Sequence, residues 1–85
     1  MYSTYIIYSV KSDIYYKGVS DDISRRLWEH NYDKSRYTAG KGPWELSYTH
    51  KWETKKEALV EELRLKKLNR KSLELLIAKY KAEVG

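Results

Sequence analysis

Five side chains in this sequence have the types needed to hydrolyse a phosphodiester together: Tyr5, Tyr16, Arg26, His30 and Glu62. That reaction requires a group to orient or deprotonate water, positive charge on the scissile phosphate, and stabilisation of the leaving oxygen. Arg26 suits the phosphate because its planar fork contacts two oxygens at once. Glu62 is a single carboxylate, enough to hold one Mg²⁺ (or Mn²⁺ in its place) whose other ligands are waters and substrate. A tyrosine hydroxyl, near pKa 10 when unperturbed, acts as a base only beside cationic charge or metal-bound water, and Arg26 and Lys17 can supply that charge. Tyrosines on a sheet equally suit an RNA-binding domain, where they stack on bases.

The elements that must position these groups are legible. Tyr5-Ile6-Ile7-Tyr8-Ser9-Val10 and Ile14-Tyr15-Tyr16-Lys17-Gly18-Val19 are rich in β-branched and aromatic residues, and Lys11-Ser12-Asp13 separates them. They predict a β-hairpin. Ser20, Asp21 and Asp22 are good N-caps, and Ile23 with Leu27 starts an apolar stripe, so a helix follows at once. In it Arg26 and His30 lie four residues apart, along one edge of that stripe. Trp44, Leu46, Tyr48, His50 and Trp52 alternate with polar residues and predict a third strand with one apolar face, on which His50 is a packing residue. Thr54-Lys55-Lys56-Glu57 fits a capping box, with a helix behind it running through Leu68. Ala58, Leu59, Leu63 and Leu65 define its apolar arc, with Glu62 near the middle and Glu61 off the edge. A carboxylate at that position is costly unless paired, protonated or bound to metal. The plainer reading of Glu62 is a rim residue salt-bridged to Arg26. Ser72 to about Val84 carries Leu73, Leu76, Ile77 and Tyr80 at helical spacing, with Asn69 and Ser72 both candidate caps. The order is β-β-α-β-α-α: an α+β domain, a three-stranded antiparallel sheet with flanking helices.

Composition narrows the function classes. Eighty-five residues suit one small domain, residues 1–85. The chain has no cysteine, so neither a disulfide framework nor a thiolate metal site exists. His30 and His50 lack zinc-ligand spacing. No apolar run approaches the ~18 residues of a membrane span, and the start lacks a signal-peptide pattern, so the expected location is the cytoplasm. The net charge is +5. Between Lys55 and Lys81, nine Lys or Arg stand against four Glu, an excess equal to that of the whole chain. Basic excess in one segment suits a polyanion, though Lys and Glu can simply solvate helices. Candidate nucleic-acid contacts there are Lys66, Lys67, Arg70 and Lys71. The segment Asn31 to Gly42 reads as a loop whose Lys34, Arg36, Tyr37 and Lys41 can follow a phosphate backbone and stack on a base. Taken alone it reads more simply as a connector whose tyrosines cover the sheet edge. Lys17 and Arg25 complete the candidate contacts.

The stretch from Tyr5 through Ile14-Tyr15-Tyr16-Lys17-Gly18 to Arg26-Leu27-Trp28-Glu29-His30-Asn31 resembles the GIY-YIG nuclease family. Gly40-Lys41-Gly42-Pro43-Trp44 and Thr54-Lys55-Lys56-Glu57-Ala58-Leu59, leading to Glu62, extend the likeness over nearly the full length. It is nearest to the small stand-alone bacterial members, relatives of the N-terminal nuclease domain of the bacterial excinuclease. The resemblance implies a metal-dependent DNA endonuclease with a role in DNA repair or recombination. It sets Tyr5 and Tyr16 at the tyrosines of the two motifs, Arg26 at the helix arginine, His30 at a histidine found in several branches, and Glu62 at the metal-binding glutamate. The implied mechanism is one-metal hydrolysis, with Tyr5 accepting the proton of water, Arg26 and Tyr16 on the phosphate, and Mg²⁺ on Glu62 assisting the leaving oxygen. The first motif reads Ser3-Thr4-Tyr5, without its glycine, and Lys17 separates Tyr16 from Gly18. Asn69 stands too close to Glu62 to match the family's later asparagine. No DNA-binding module stands beside the domain in this sequence, so the expectation is a weak or structure-directed preference, or a protein partner that supplies target specificity. A non-catalytic nucleic-acid-binding module and a structural domain remain the other readings; salt-sensitive affinity separates the last from both.

Overall fold

The structure, a computed structural model, describes residues 1–84. The elements follow the order β1 (Tyr2–Ser9), β2 (Ile14–Ser20), α1 (Ile23–Asn31), β3 (Glu45–Trp52), α2 (Lys55–Lys67) and α3 (Arg70–Val84). The three strands form an antiparallel sheet in the order β2-β1-β3. β1 is central and covered on both faces, which explains why Tyr5-Ile6-Ile7 is a continuous buried run rather than an alternating one. Ile6 and Tyr48 pack against Leu65 of α2 and Leu73 and Ile77 of α3. On the opposite face Tyr5, Ile7 and Trp44 gather Ile23 and Leu27 of α1. In the register of β1 with β2, Tyr5 lies across from Gly18 and Ile7 across from Tyr16, so both tyrosines share the α1 face while Lys17 shares the face of α2.

Three local expectations are corrected. β3 does not keep one apolar face. Its pairing slips between Ile6, opposite Tyr48, and Ile7, opposite Leu46, leaving Ser47 as a bulge. One extra residue inverts the alternation. Trp44, just ahead of the strand, therefore joins the α1 side, whereas Tyr48 joins the other. His50 is exposed, its ring 4.4 Å from that of Trp52, and not a core packing residue.

The apolar arc of α2 is narrower than the count of its leucines implies. Ala58 and Leu65 are its buried residues, while Leu59 and Leu63 are 40% and 57% exposed. The inward axis runs through positions seven apart, so Glu61 and Glu62 flank it on either side. Glu61 is thus as enclosed as Glu62, and it pairs with Arg64.

α3 begins two residues earlier than its apolar pattern indicates. Of the two candidate caps Asn69 acts, its Oδ1 accepting the Ser72 N–H at 2.8 Å. The capping box of α2 is present as expected, with Thr54 and Glu57 satisfying each other's backbone N–H.

Candidate active site

Four of the five candidate groups meet in one cleft of about 520 Å³, and each arrives on a different element. Tyr5 comes from β1, Tyr16 from β2, Arg26 from α1 and Glu62 from α2, with Gly18 and Val19 of the edge strand between the helices. Gly18 is required by packing. A Cβ there would sit 2.5 Å from the Tyr5 hydroxyl and 2.6 Å from Cζ, so only a hydrogen lets the phenol cross its partner strand.

His30, the fifth candidate, does not reach the cleft. It is fully buried behind Tyr5, with Nε2 2.8 Å from the Tyr5 hydroxyl and Nδ1 2.7 Å from Thr38 Oγ1. Burial, reinforced by the Arg26 guanidinium, holds its pKa down to about 4, so the ring is neutral at pH 7. The direction of the chain follows from its far end. The Thr38 hydroxyl faces the Ser35 carbonyl at 3.5 Å, which can only accept. Thr38 Oγ1 therefore accepts from His30 Nδ1–H, and His30 Nε2 accepts from the Tyr5 O–H. Burial pushes the Tyr5 phenol up to about 12, against the lowering effect of Arg26, so Tyr5 rests protonated with its proton directed at His30.

The segment between α1 and β3 builds this support. The Asn31 side chain brackets Trp44, donating to its carbonyl at 3.1 Å and accepting its N–H. Asp33 accepts the Gly40 N–H at 3.0 Å, and Ser12 donates to the Lys41 carbonyl at 2.9 Å. So anchored, the loop delivers Thr38 to His30 and sets the ring of Tyr37 5.5 Å from that of Tyr16. No sequence pattern marks Thr38, because its role exists only across the loop.

Charge in the cleft is more balanced than the basic composition implies. Arg26 pairs with Glu29 at 3.0 Å within α1, not with Glu62 as the rim reading had it, and Arg25 pairs with Asp21 at 2.8 Å. Glu62, its side chain 16% exposed, faces Lys66 at 3.7 Å. Among the described residues no three His, Asp or Glu side chains converge into a metal cage. One half-buried carboxylate on the wall of an open cleft fits an ion that keeps several waters and takes the rest of its ligands from substrate, as Mg²⁺ does.

The candidate nucleic-acid residues divide. Lys17, Tyr37 and Lys66 line a recess adjoining the cleft at Tyr16, with the Lys41 ammonium 4.1 Å from the centre of the Tyr37 ring. Arg25 lines the cleft itself, as does Lys55, which the sequence offers only as part of a capping box. Lys34, Arg36, Lys67 and Lys71 are exposed and lie outside the lining of both cavities. Arg70 is engaged internally: it pairs with Asp13 in the hairpin turn and with Glu74 at 3.4 Å, and sits 5.3 Å over the Tyr15 ring. Tyr32 stacks on Trp28 at 4.9 Å.

No described helix is long and apolar enough to cross a membrane. A UPF0213 protein of Halobacterium salinarum is 38% identical over 77 residues, spanning 89% of this chain and 99% of that one. The UPF0213 protein YazA of Bacillus subtilis is 35% identical, over 86% of this chain and 75% of its own. Among solved structures, the solution NMR structure of a UPF0213 protein from Bacillus halodurans superposes with a TM-score of 0.59 at 34% identity, covering 92% of this chain and 84% of that one. The GIY-YIG catalytic domain matches residues 1–80, the span that supplies every wall of the cleft. The chain therefore belongs to the GIY-YIG family, whose domain is a nuclease domain that acts on DNA.

Proposed function

We propose that this protein is a divalent-metal-dependent endonuclease that hydrolyses DNA phosphodiesters with Tyr5, Tyr16, Arg26, His30 and Glu62. The observation that carries the reading is the Tyr5–His30–Thr38 chain, opening onto the same cleft as Arg26 and Glu62. A phenol whose pKa is about 12 is not a standing base at pH 7. It becomes one when its proton has somewhere to go: as Tyr5 accepts a proton from the attacking water, its own moves to His30 Nε2. Thr38 holds the imidazole in the tautomer that leaves Nε2 free. Arg26 neutralises the phosphate with its fork and Tyr16 orients it through its hydroxyl. Mg²⁺ or Mn²⁺ held by Glu62 would supply Lewis-acid neutralisation of the leaving oxygen. A role in DNA repair or recombination belongs to the same proposal and rests on the resemblance to the excinuclease domain.

The test is cleavage of plasmid and branched DNA with Mg²⁺ or Mn²⁺, comparing wild type with Glu62→Ala and Arg26→Ala. Metal-dependent cutting that both substitutions abolish, with folds intact by circular dichroism, is the expected result. DNA binding without cutting, unchanged or tightened in Glu62→Ala, would replace the enzyme with a binding module.

A further inference from the structure

Beside the cleft, on the far side of Tyr16, lies a recess of about 370 Å³ lined by Tyr15, Tyr16, Lys17, Tyr37 and Lys66. We propose that this recess seats one unstacked nucleotide flanking the scissile phosphate, so that the protein selects DNA whose strand is single beside the cut. The inference rests on the nuclease reading above and adds to it a second site and a substrate structure.

Three observations carry it. The recess and the cleft share Tyr16, so a strand whose phosphate reaches Arg26 has its neighbouring nucleotide at this opening. Its lining is three phenols and two ammonium groups with no carboxylate, a set suited to a phosphate plus a base and ill suited to a cation or a fatty chain. Lys17 and Lys66 come from different elements, β2 and α2, yet line the same recess, where Lys66 also faces Glu62 at 3.7 Å. Lys17 has no ion-pair partner among the described residues, and burial followed by Lys66 lowers its pKa. An anion in the recess gives Lys17 the counter-charge it lacks.

The aromatic wall supports the base. Tyr37 is 60% exposed, yet its ring is held 5.5 Å from Tyr16, and the loop carrying it is anchored at both ends. A large exposed ring held in place loses little entropy when a base lies against it. A recess of this size holds a single nucleotide and not a base pair. A paired strand must therefore pay unstacking, a few kcal/mol per base, which a strand already single avoids.

The test measures binding without catalysis. In EDTA, a splayed-arm duplex and a fully paired duplex of the same sequence are titrated, each with 2-aminopurine beside the junction position. Splayed-arm DNA is expected to bind at least tenfold tighter, with altered 2-aminopurine fluorescence, and Tyr37→Ala to bring its affinity to that of the paired duplex. The Lys17→Ala/Lys66→Ala double variant should reduce the slope of log affinity against log salt by about 1.4 on the single-stranded arm, at ~0.7 per phosphate contact. Equal affinity for the two DNAs, or a preference that survives Tyr37→Ala with the fold intact, overturns the proposal. Parallel digestion in Mg²⁺ separates the two readings. Cutting without arm preference removes the recess and keeps the nuclease, whereas arm preference without cutting removes the nuclease and keeps the recess.

Discussion

Substituting Gly18→Ala should disable the site and loosen the fold through a single methyl group. The added Cβ would stand 2.5 Å from the Tyr5 hydroxyl, 2.6 Å from Cζ and 3.0 Å from Cε1. Ordinary contact requires the ring to retreat by about 1 Å. Tyr5 has no room for this: it is 2% exposed, and His30 holds its hydroxyl at 2.8 Å. Overpacking of this kind costs about 1–3 kcal/mol, and a lost buried hydrogen bond adds about 1. For a domain of this size each kcal/mol lowers Tm by about 4–8 °C, so a fall of at least about 8 °C is expected in calorimetry. A reacting group displaced by 1 Å loses about 100-fold in rate, which a cleavage assay on branched DNA reads independently. The control is Tyr5→Leu, whose side chain ends short of the clash. In that background Gly18→Ala should be neutral or stabilising by about 0.5–1 kcal/mol, because alanine in a strand costs less backbone entropy than glycine. The sign of the substitution thus depends on one ring. If Gly18→Ala destabilises equally in both backgrounds, or leaves Tm and cleavage at wild-type values, the account of Gly18 as a passage for Tyr5 is wrong.

Other predictions concern the supporting structure. His30 has a folded pKa of about 4 against an ordinary 6.5. Protonation therefore favours the unfolded chain, and the stability it contributes is complete above pH 6.5 and is lost as pH falls towards 4. The loss amounts to about 2–3 kcal/mol; urea melts across this range should show it in wild type and not in His30→Gln, and identical pH profiles would refute it. Leu65→Ala, at a fully buried position, should cost about 2–5 kcal/mol in urea unfolding, whereas Leu63→Ala, at a position 57% exposed, should stay within about 0.5. Equal costs would contradict the inward axis assigned to α2. Arg70→Ala should lower Tm more at low salt than at high salt, since Arg70 ties the hairpin turn to α3 through Asp13 and Glu74, and should leave DNA affinity within about twofold. A large loss of affinity with unchanged Tm would return Arg70 to the DNA-binding surface.

The sequence by itself determined what short-range chemistry controls. The hairpin, the capped helices and the order β-β-α-β-α-α follow from β-branched runs, Thr54 with Glu57, and apolar residues at helical spacing. The motif order around Tyr5, Tyr16, Arg26 and Glu62 likewise pointed to the family. The tertiary structure decided what depends on contacts between distant segments. The bulge at Ser47 is a property of pairing with β1, so the strand's own alternation assigned Trp44 and Tyr48 to one face when they pack on opposite ones. The inward axis of α2 is set by the sheet beneath it, which is why Glu61 proved as enclosed as Glu62 while Leu59 and Leu63 face outward. Arg26 reached Glu29 on its own helix rather than the acid on α2, because an ion pair three residues apart needs no second element. Above all, Thr38 lies eight residues past His30 in a loop with no periodicity, and its hydroxyl gains a role only when that loop closes over the buried imidazole. Local propensity places backbone elements; the polarity of a buried hydrogen-bonded chain exists only once several of them have packed together.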